Sequence, residues 1–279
     1  MFGNGTLGIV GSGRMAEAMI SGVLEKGLLP AQIIASGPKQ KRADELIKAY
    51  GIQATTDNRV AADTDVLVVL STKPQTMRIV LNELHGHIHK DAVVVSIAAG
   101  VRLETLYSGL DHRTVVRAMP NTPGRINMGF TMWTCTAEVT PEQRAKVAEL
   151  LGALGKQRFV EEEKYLDMTT ATSGTGPALV FMFMEAMIDA SVHIGMPRAL
   201  AEETVIETML GSVLLAKGEI TKKDGRHLAQ LRSEVTSPAG TTAAAIYALE
   251  KATFRTAVVD ALHAAHMRCI ELGKLLGGN

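Results

Sequence analysis

Two glycines near the amino terminus carry the first readable chemistry. The aliphatic run Leu7-Gly8-Ile9-Val10 passes directly into Gly11-Ser12-Gly13-Arg14-Met15-Ala16. A Gly-x-Gly-x-x-Ala pattern between a strand and a helix is a dinucleotide fingerprint. The first glycine permits a tight turn, the second lets the backbone approach a pyrophosphate, and a small third residue lets helix and strand pack closely. The helix then opens with unpaired N–H groups facing the phosphates. Downstream, Ser36-Gly37-Pro38-Lys39-Gln40-Lys41-Arg42 follows the next strand-like run. An acidic residue at that point would accept the ribose hydroxyls of NAD. A serine followed by three cations suits a 2′-phosphate instead, so NADPH is expected, with NADH as the alternative. The same cations would also suit an ordinary solvated first helical turn.

Further motifs fall where an open α/β sheet binds ligands, at the carboxyl ends of its strands. Ser71-Thr72-Lys73-Pro74 follows the run Val66-Leu67-Val68-Val69-Leu70, and Ser96-Ile97-Ala98-Ala99-Gly100 follows Val93-Val94-Val95. The small residues of the second loop leave room for a nicotinamide against the backbone. Arg117-Ala118-Met119-Pro120-Asn121-Thr122-Pro123 reads as a proline-stiffened loop at the same rim. Two glycine-rich helix starts come later. Ser173-Gly174-Thr175-Gly176-Pro177 has Ser173 as a candidate N-cap, and Ser237-Pro238-Ala239-Gly240-Thr241-Thr242 opens another helix. Helix N-termini of this composition suit a carboxylate, and each would equally serve as a plain cap.

The elements that must hold these motifs follow from periodicity. Strand-like runs at residues 7–10, 32–35, 66–70, 93–95 and 114–116 alternate with helical stretches at 15–24 and 39–50 and a helix beginning near Pro74. Continuous β-branched runs of this kind predict a parallel sheet covered on both faces. Thr140-Pro141-Glu142-Gln143 opens one more helix. After about residue 165 strand signals stop. Residues 178–194 are apolar almost all round, as expected of a helix in a core or a subunit interface. Helices are predicted at residues 198–216, 241–251 and 254–276, the last with Phe254, Val258, Leu262, Ala265, Cys269, Leu272 and Leu276 in one apolar row. The predicted fold is α/β: a Rossmann-like doubly wound domain over residues 1–165, then an all-helical domain over 166–279.

Composition narrows the class. The 279 residues carry 29 Lys and Arg against 29 Asp and Glu, so no excess charge points to nucleic acid or a membrane surface. Hydrophobic residues at 46% exclude disorder, and two cysteines cannot build a disulfide framework. The start, Met1-Phe2-Gly3-Asn4-Gly5, lacks a basic or apolar targeting region. The longest uncharged stretch, residues 168–184, is expected to fall short of a span. A cytoplasmic enzyme is the expectation.

On these motifs the chain resembles the pyrroline-5-carboxylate reductases. The most specific part is Leu231-Arg232-x-x-Val235-Thr236-Ser237-Pro238-x-Gly240-Thr241-Thr242, supported by Ser173-Gly174-Thr175-Gly176-Pro177-Ala178 and Met119-Pro120-Asn121-Thr122-Pro123. The resemblance implies NADPH-dependent reduction of 1-pyrroline-5-carboxylate to L-proline. It implies cofactor contacts at Val10, Gly11, Ser12, Gly13, Arg14, Met15, Ser36, Pro38, Lys39, Asn58, Ser71, Thr72, Lys73, Pro74, Ile97, Ala98 and Ala99. Substrate contacts are implied at Glu163, Thr175, Glu234, Gly240, Thr241 and Thr242, with Thr242 as a weak proton donor to the imine nitrogen. It further implies dimers through the helical domain, and rings of dimers. The chain departs from the family pattern with Ser71-Thr72 where Ala-Val is usual, Glu234 where Asn or Gln is usual, Thr175 for Ser, and Leu179 for Tyr.

Competing readings are a related NADP-dependent reductase of another cyclic imine or a hydroxy acid, and a non-catalytic NADP(H)-binding oligomer. The β-hydroxyacid dehydrogenases place a catalytic lysine in the interdomain helix, whereas residues 178–194 contain none. Retention of both glycine-rich helix starts argues against a mere sensor. His85, His87 and His89, and separately His263, His266 and Cys269, have spacings that could be drawn as zinc sites. Both groups lie outside the matched motifs, and no metal is expected.

Overall fold

The computed structural model describes Gly3 and residues 5–277. Met1, Phe2 and Asn4 of the amino-terminal segment, and the side chain of Leu276 in the last apolar row, lie outside the described residues. Eight strands form one sheet in the order β3-β2-β1-β4-β5-β6-β7-β8. They are β1 (Leu7–Val10), β2 (Ile33–Ser36), β3 (Gln53–Thr55), β4 (Leu67–Leu70), β5 (Val93–Ser96), β6 (Val115–Met119), β7 (Gly129–Cys135) and β8 (Gly155–Phe159). β1 pairs in parallel with both β2 and β4, so the strand order reverses direction there. The register places Ser36, Val10, Leu70 and Ser96 side by side at the carboxyl edge. That edge, at the switch point, is where an open α/β sheet offers a crevice.

Helices α1 (Arg14–Glu25), α2 (Gln40–Tyr50), α3 (Asn58–Ala62), α4 (Pro74–Leu84), α5 (Leu103–Leu110) and α6 (Pro141–Leu151) connect these strands. Alternation along each strand sends side chains to opposite faces. Leu7, Ile9, Leu67 and Val69 pack with Met19, Ile20 and Val23 of α1. Val10, Val68 and Leu70 pack with Met77 and Leu81 of α4 and Leu106 of α5. Local signals mark the helix ends. Pro74 occupies the first turn of α4, and Thr140 with Gln143 forms a reciprocal capping box at α6.

The sheet departs from the parallel expectation at one side. β7 runs antiparallel to β6, and β8 parallel to β7. Residues 120–128 are too few for a crossover to a parallel neighbour, so the chain returns beside the strand it left. Arg117, Ala118 and Met119 are the last residues of β6 and belong to the strand rather than to the loop. The edge strand β8 is Gly-Lys-Gln-Arg-Phe, polar enough to face water.

Beyond β8 lie α7 (Lys164–Thr169), a π turn (Thr170–Gly174), α8 (Gly176–His193), α9 (Arg198–Ile220), α10 (Leu228–Glu234), α11 (Thr241–Lys251) and α12 (Phe254–Gly277). By contacts the chain divides into two compact units, Met1–Pro177 with His263–Asn279, and Ala178–Leu262. In the second unit only Ala201, Val205 and Glu219 are buried among the described residues. Phe181 is 62% exposed, Met182 69%, Val213 58% and Leu214 53%. A helical unit this apolar, with almost no core in the single chain, requires a protein partner. The stretch Lys164–His193 is also long and apolar enough to cross a membrane by length and composition, which corrects the expectation that it falls short. Its helix carries Glu185 and Asp189, the latter paired to Arg198 at 2.8 Å.

Coupling of folding to association makes the melting temperature depend on protein concentration. The melting temperature is expected to fall as the protein is diluted. Phe181→Glu should shift the protein toward smaller species in gel filtration and lower its melting temperature. A concentration-independent melt would contradict the coupling.

Candidate active site

A cleft of about 370 Å³ opens at the carboxyl edge of the sheet. Its floor is the glycine turn. Gly11 has φ +105°, and a Cβ there would lie 2.7 Å from the Ser71 backbone, so neither a side chain nor an ordinary backbone conformation would fit. Its N–H donates to the Ser36 carbonyl, while Ser71 N–H donates to Val10. Gly13 caps α1 without any side-chain partner, and nothing lies within 4 Å of where its Cβ would stand. Open space against a backbone at a twelve-residue helix's N-terminus fits a pyrophosphate.

Gly13, Arg14, Met15, Ser71, Thr72, Lys73, Pro74, Ile97, Ala98 and Ala99, all singled out in the sequence, line this cleft together. Met119, Pro120, Asn121, Thr122 and Gly174 complete it. Arg14 and Lys73 are the only charged residues in that lining, and no His, Asp, Glu, Cys or Tyr joins them. Val10, Gly11, Ser12, Ser36, Pro38, Lys39 and Asn58 are not in the lining; they belong to the glycine turn and to the ends of β1 and β2 and the start of α3.

The far wall differs from its sequence reading. Ser173 and Gly174 do not open a helix: α7 runs through the π turn into α8, with Thr175 N–H bonded five residues back to the Thr170 carbonyl at 3.0 Å. Thr175 also donates its hydroxyl to that carbonyl. Ser173 accepts from Asn121 Nδ2 at 3.1 Å, and Asn121 Oδ1 accepts from Phe130 N–H at 2.9 Å. A Cβ on Gly174 would meet Met119 Cε at 2.6 Å. Extra-residue turns of this type are frequent at functional sites.

Beneath this wall sits Arg117, with a side chain 3% exposed. It bonds Glu163 at 2.9 Å and Asp167 at 2.5 Å. Burial pushes the guanidinium pKa down, but Asp167 and Glu163 outweigh it and hold it above its ordinary value. Glu163 Oε1 also accepts the first N–H of α5, from Leu103. Cys269 of α12 donates to Asp167 at 3.4 Å, and burial raises its thiol pKa. Gly100, at φ +76°, lets α12 lie against the turn after Ala99; a Cβ there would be 3.0 Å from the Cys269 carbonyl. Neither Asp167 nor the bracing role of Arg117 was read from the sequence, since the pairs span 46 and 50 residues with no local signal.

At the end of β2 the three cations behave differently from one another. Arg42 is bound to Glu17 at 2.5 Å, to Glu45 at 3.2 Å and to the Ser12 carbonyl at 3.0 Å, so it braces the glycine turn. Lys39 and Lys41 remain exposed. Ser36 is buried and donates to Asn58 Oδ1 at 2.8 Å.

The second unit holds the remaining motif. Gly240 caps α11 with no side-chain partner, and Thr241 and Thr242 are its first residues. Ala239 takes φ +58°, and a Cβ on Gly240 would meet Ser237 Oγ at 2.3 Å. Uncapped N–H groups and two hydroxyls at this eleven-residue helix suit a carboxylate. Glu234 closes α10, where the helix dipole disfavours an acid. Arg226 offsets this, bonding Glu234 at 2.6 Å and Glu219 at 3.0 Å. Arg226 and then Lys222 draw the Glu219 carboxyl down to about 2. Among the described residues no group of three or more His, Cys, Asp or Glu is placed to hold a metal ion.

Comparison with known proteins gives this arrangement relatives. Residues 163–272 match the family described as pyrroline-5-carboxylate reductase dimerisation, and residues 6–100 the family described as NADP oxidoreductase, coenzyme F420-dependent. The pyrroline-5-carboxylate reductase of a Synechocystis species is 39% identical over 96% of this chain and 98% of its own length. That of Escherichia coli K12 is 37% identical over 97% of each. A crystal structure of the Plasmodium falciparum enzyme with NADP bound superposes with a TM-score of 0.87 at 28% identity, covering 98% of this chain and all of that one.

Removing Arg117 leaves two acids partly buried without their counter-charge. Arg117→Met is therefore expected to cost about 3–5 kcal/mol, read from denaturant midpoints. Glu219 has a depressed carboxyl, so its contribution is present above its ordinary value of 4.5 and is lost as pH falls toward about 2. Glu219→Gln should be less stable than the parent at neutral pH, with the difference closing over that acid range. A constant difference would refute the assignment.

Proposed function

This chain belongs to the pyrroline-5-carboxylate reductase family, and on that premise we propose that it reduces 1-pyrroline-5-carboxylate to L-proline with NADPH. The observation that carries the reading is the cleft at the switch point, with open space beyond Gly13 and a lining almost without titratable groups. When bound, NADPH supplies a hydride to the C=N carbon of the substrate. Ser12, Gly13, Arg14 and Met15 hold the pyrophosphate through backbone N–H groups, and Gly11, its own N–H committed to Ser36, shapes the turn that lets the cofactor approach. Val10, Ser36, Pro38, Lys39 and Asn58 take the adenosine end, and Ser71, Thr72, Lys73, Pro74, Ile97, Ala98 and Ala99 flank the nicotinamide.

A protonated imine is already electrophilic, so the protein acts mainly by positioning. The cleft's lack of an Asp, Glu, His, Cys or Tyr agrees with that division of labour. Thr241 and Thr242, with Gly240, bind the substrate carboxylate at the start of α11, and Thr242 donates weakly to the imine nitrogen. Thr175 and Glu163 are further substrate contacts, Thr175 through oxygen lone pairs because its proton is committed to Thr170. Glu234 contacts substrate while paired to Arg226. Residues 1–165 form the nucleotide domain and 166–279 the substrate and dimerisation domain; rings of dimers are the larger assembly.

Oxidation of NADPH by purified protein with 1-pyrroline-5-carboxylate, with proline as product, tests the reaction. Nucleotide binding without turnover would redirect the search to other imines. Thr242→Ala should lower kcat by roughly 10²-fold, the lower end for a positioned proton donor. Gly13→Val should abolish nucleotide binding while lowering the melting temperature by no more than the loss of a good N-cap, because its Cβ meets only open space.

A further inference from the structure

Three side chains at the adenosine end form a chain of hydrogen bonds with a fixed direction. Glu83, near the end of α4, accepts from Asn58 Nδ2 at 2.8 Å. Asn58 Oδ1 in turn accepts from Ser36 Oγ at 2.8 Å. A carboxylate can only accept, so Asn58 must turn its amino group to Glu83 and its carbonyl to Ser36. Ser36 must then give its one proton to Asn58. Ser36 is buried and Asn58 half-buried, so swinging the hydroxyl elsewhere would leave Asn58 Oδ1 without this partner at a partly desolvated site. What remains for a ligand is the lone pairs of Ser36 and one N–H of Asn58.

That pair of groups matches a ribose 2′-hydroxyl, which can accept from Asn58 and donate to Ser36. A 2′-phosphate can use the N–H alone: it has no proton for Ser36 and meets the Glu83 charge one residue behind Asn58. We infer that Glu83 is a specificity-determining residue, which sets the balance between NADH and NADPH by fixing the hydrogen-bond direction of Asn58 and Ser36. The inference rests on the functional reading above, which places the adenosine ribose at Ser36 and Asn58. Lys39 and Lys41 attract the phosphate, and Glu83 works against them, which narrows the difference between the two cofactors.

The test is calorimetric titration of the purified full-length protein with NADP⁺ and NAD⁺ separately, before and after Glu83→Gln. A glutamine can donate as well as accept, so Asn58 is released and the charge is removed. The ratio of the NAD⁺ to the NADP⁺ dissociation constant should rise about five- to tenfold, the worth of roughly one hydrogen bond. Repeating the titrations at high salt separates the contributions, because charge repulsion is screened and hydrogen-bond direction is not. Asn58→Asp should move the ratio the other way, since it keeps an acceptor for Ser36 but removes the N–H and adds a charge. An unchanged ratio in Glu83→Gln, or an equal loss of both affinities, overturns the inference. Failure of the parent protein to bind either nucleotide overturns the functional reading, and this inference with it.

Discussion

A guanidinium buried at the carboxyl half of β6 obliges the chain to bring carboxylates to it. Arg117 cannot lie nearly unexposed beside the sheet without Glu163 and Asp167, and those two residues stand just before and within α7. Meeting that demand docks α7 against β6. The docking brings the π turn over the end of the strand, and the turn places Ser173 on Asn121 and Gly174 on Met119. One electrostatic necessity therefore sets the wall of the cleft opposite the glycine turn. Glu163 spreads the constraint to α5 by holding its first N–H, and Asp167 spreads it to α12 through Cys269.

Legibility in the sequence followed the range of the interaction. The glycine turn, Pro74 and the Thr140 capping box are settled by residues a few positions apart, and each stands where its motif places it. The buried runs of β1, β4 and β5 are continuous and aliphatic, so their strand character is unmistakable. β8 is invisible for the opposite reason: Lys156 and Arg158 are exposed on an edge, the half-buried residue between them is the polar Gln157, and no hydrophobic pattern marks the strand. The direction of β7 depended on connection length, which strand propensity does not report.

Side-chain employment was harder to foresee than side-chain position. Three cations after β2 look alike in sequence, yet Arg42 is claimed by Glu17, Glu45 and the Ser12 carbonyl while Lys39 and Lys41 are left exposed. Ser173 fits the description of a helix cap, and the chain simply continues as helix through it. Glu234 stands where an uncharged amide is usual, and its charge is answered by Arg226 eight residues earlier. In each case a competing partner, distant or unremarkable in sequence, decided what the group was free to do.

The exposed helix α8 has a consequence for biosynthesis. Residues 164–193 leave the ribosome before α9, α11 and α12 exist, and well before a second copy arrives. During that interval the nascent chain displays a stretch that the secretory machinery could mistake for a membrane anchor. Glu185 and Asp189, in the carboxyl-terminal third of that stretch, make it a poorer anchor, since an acidic side chain in an inserting helix is costly, up to roughly 2.5–3.5 kcal/mol at its centre. The acid that pairs with Arg198 in the folded chain thus has an earlier effect as well, on the newborn one.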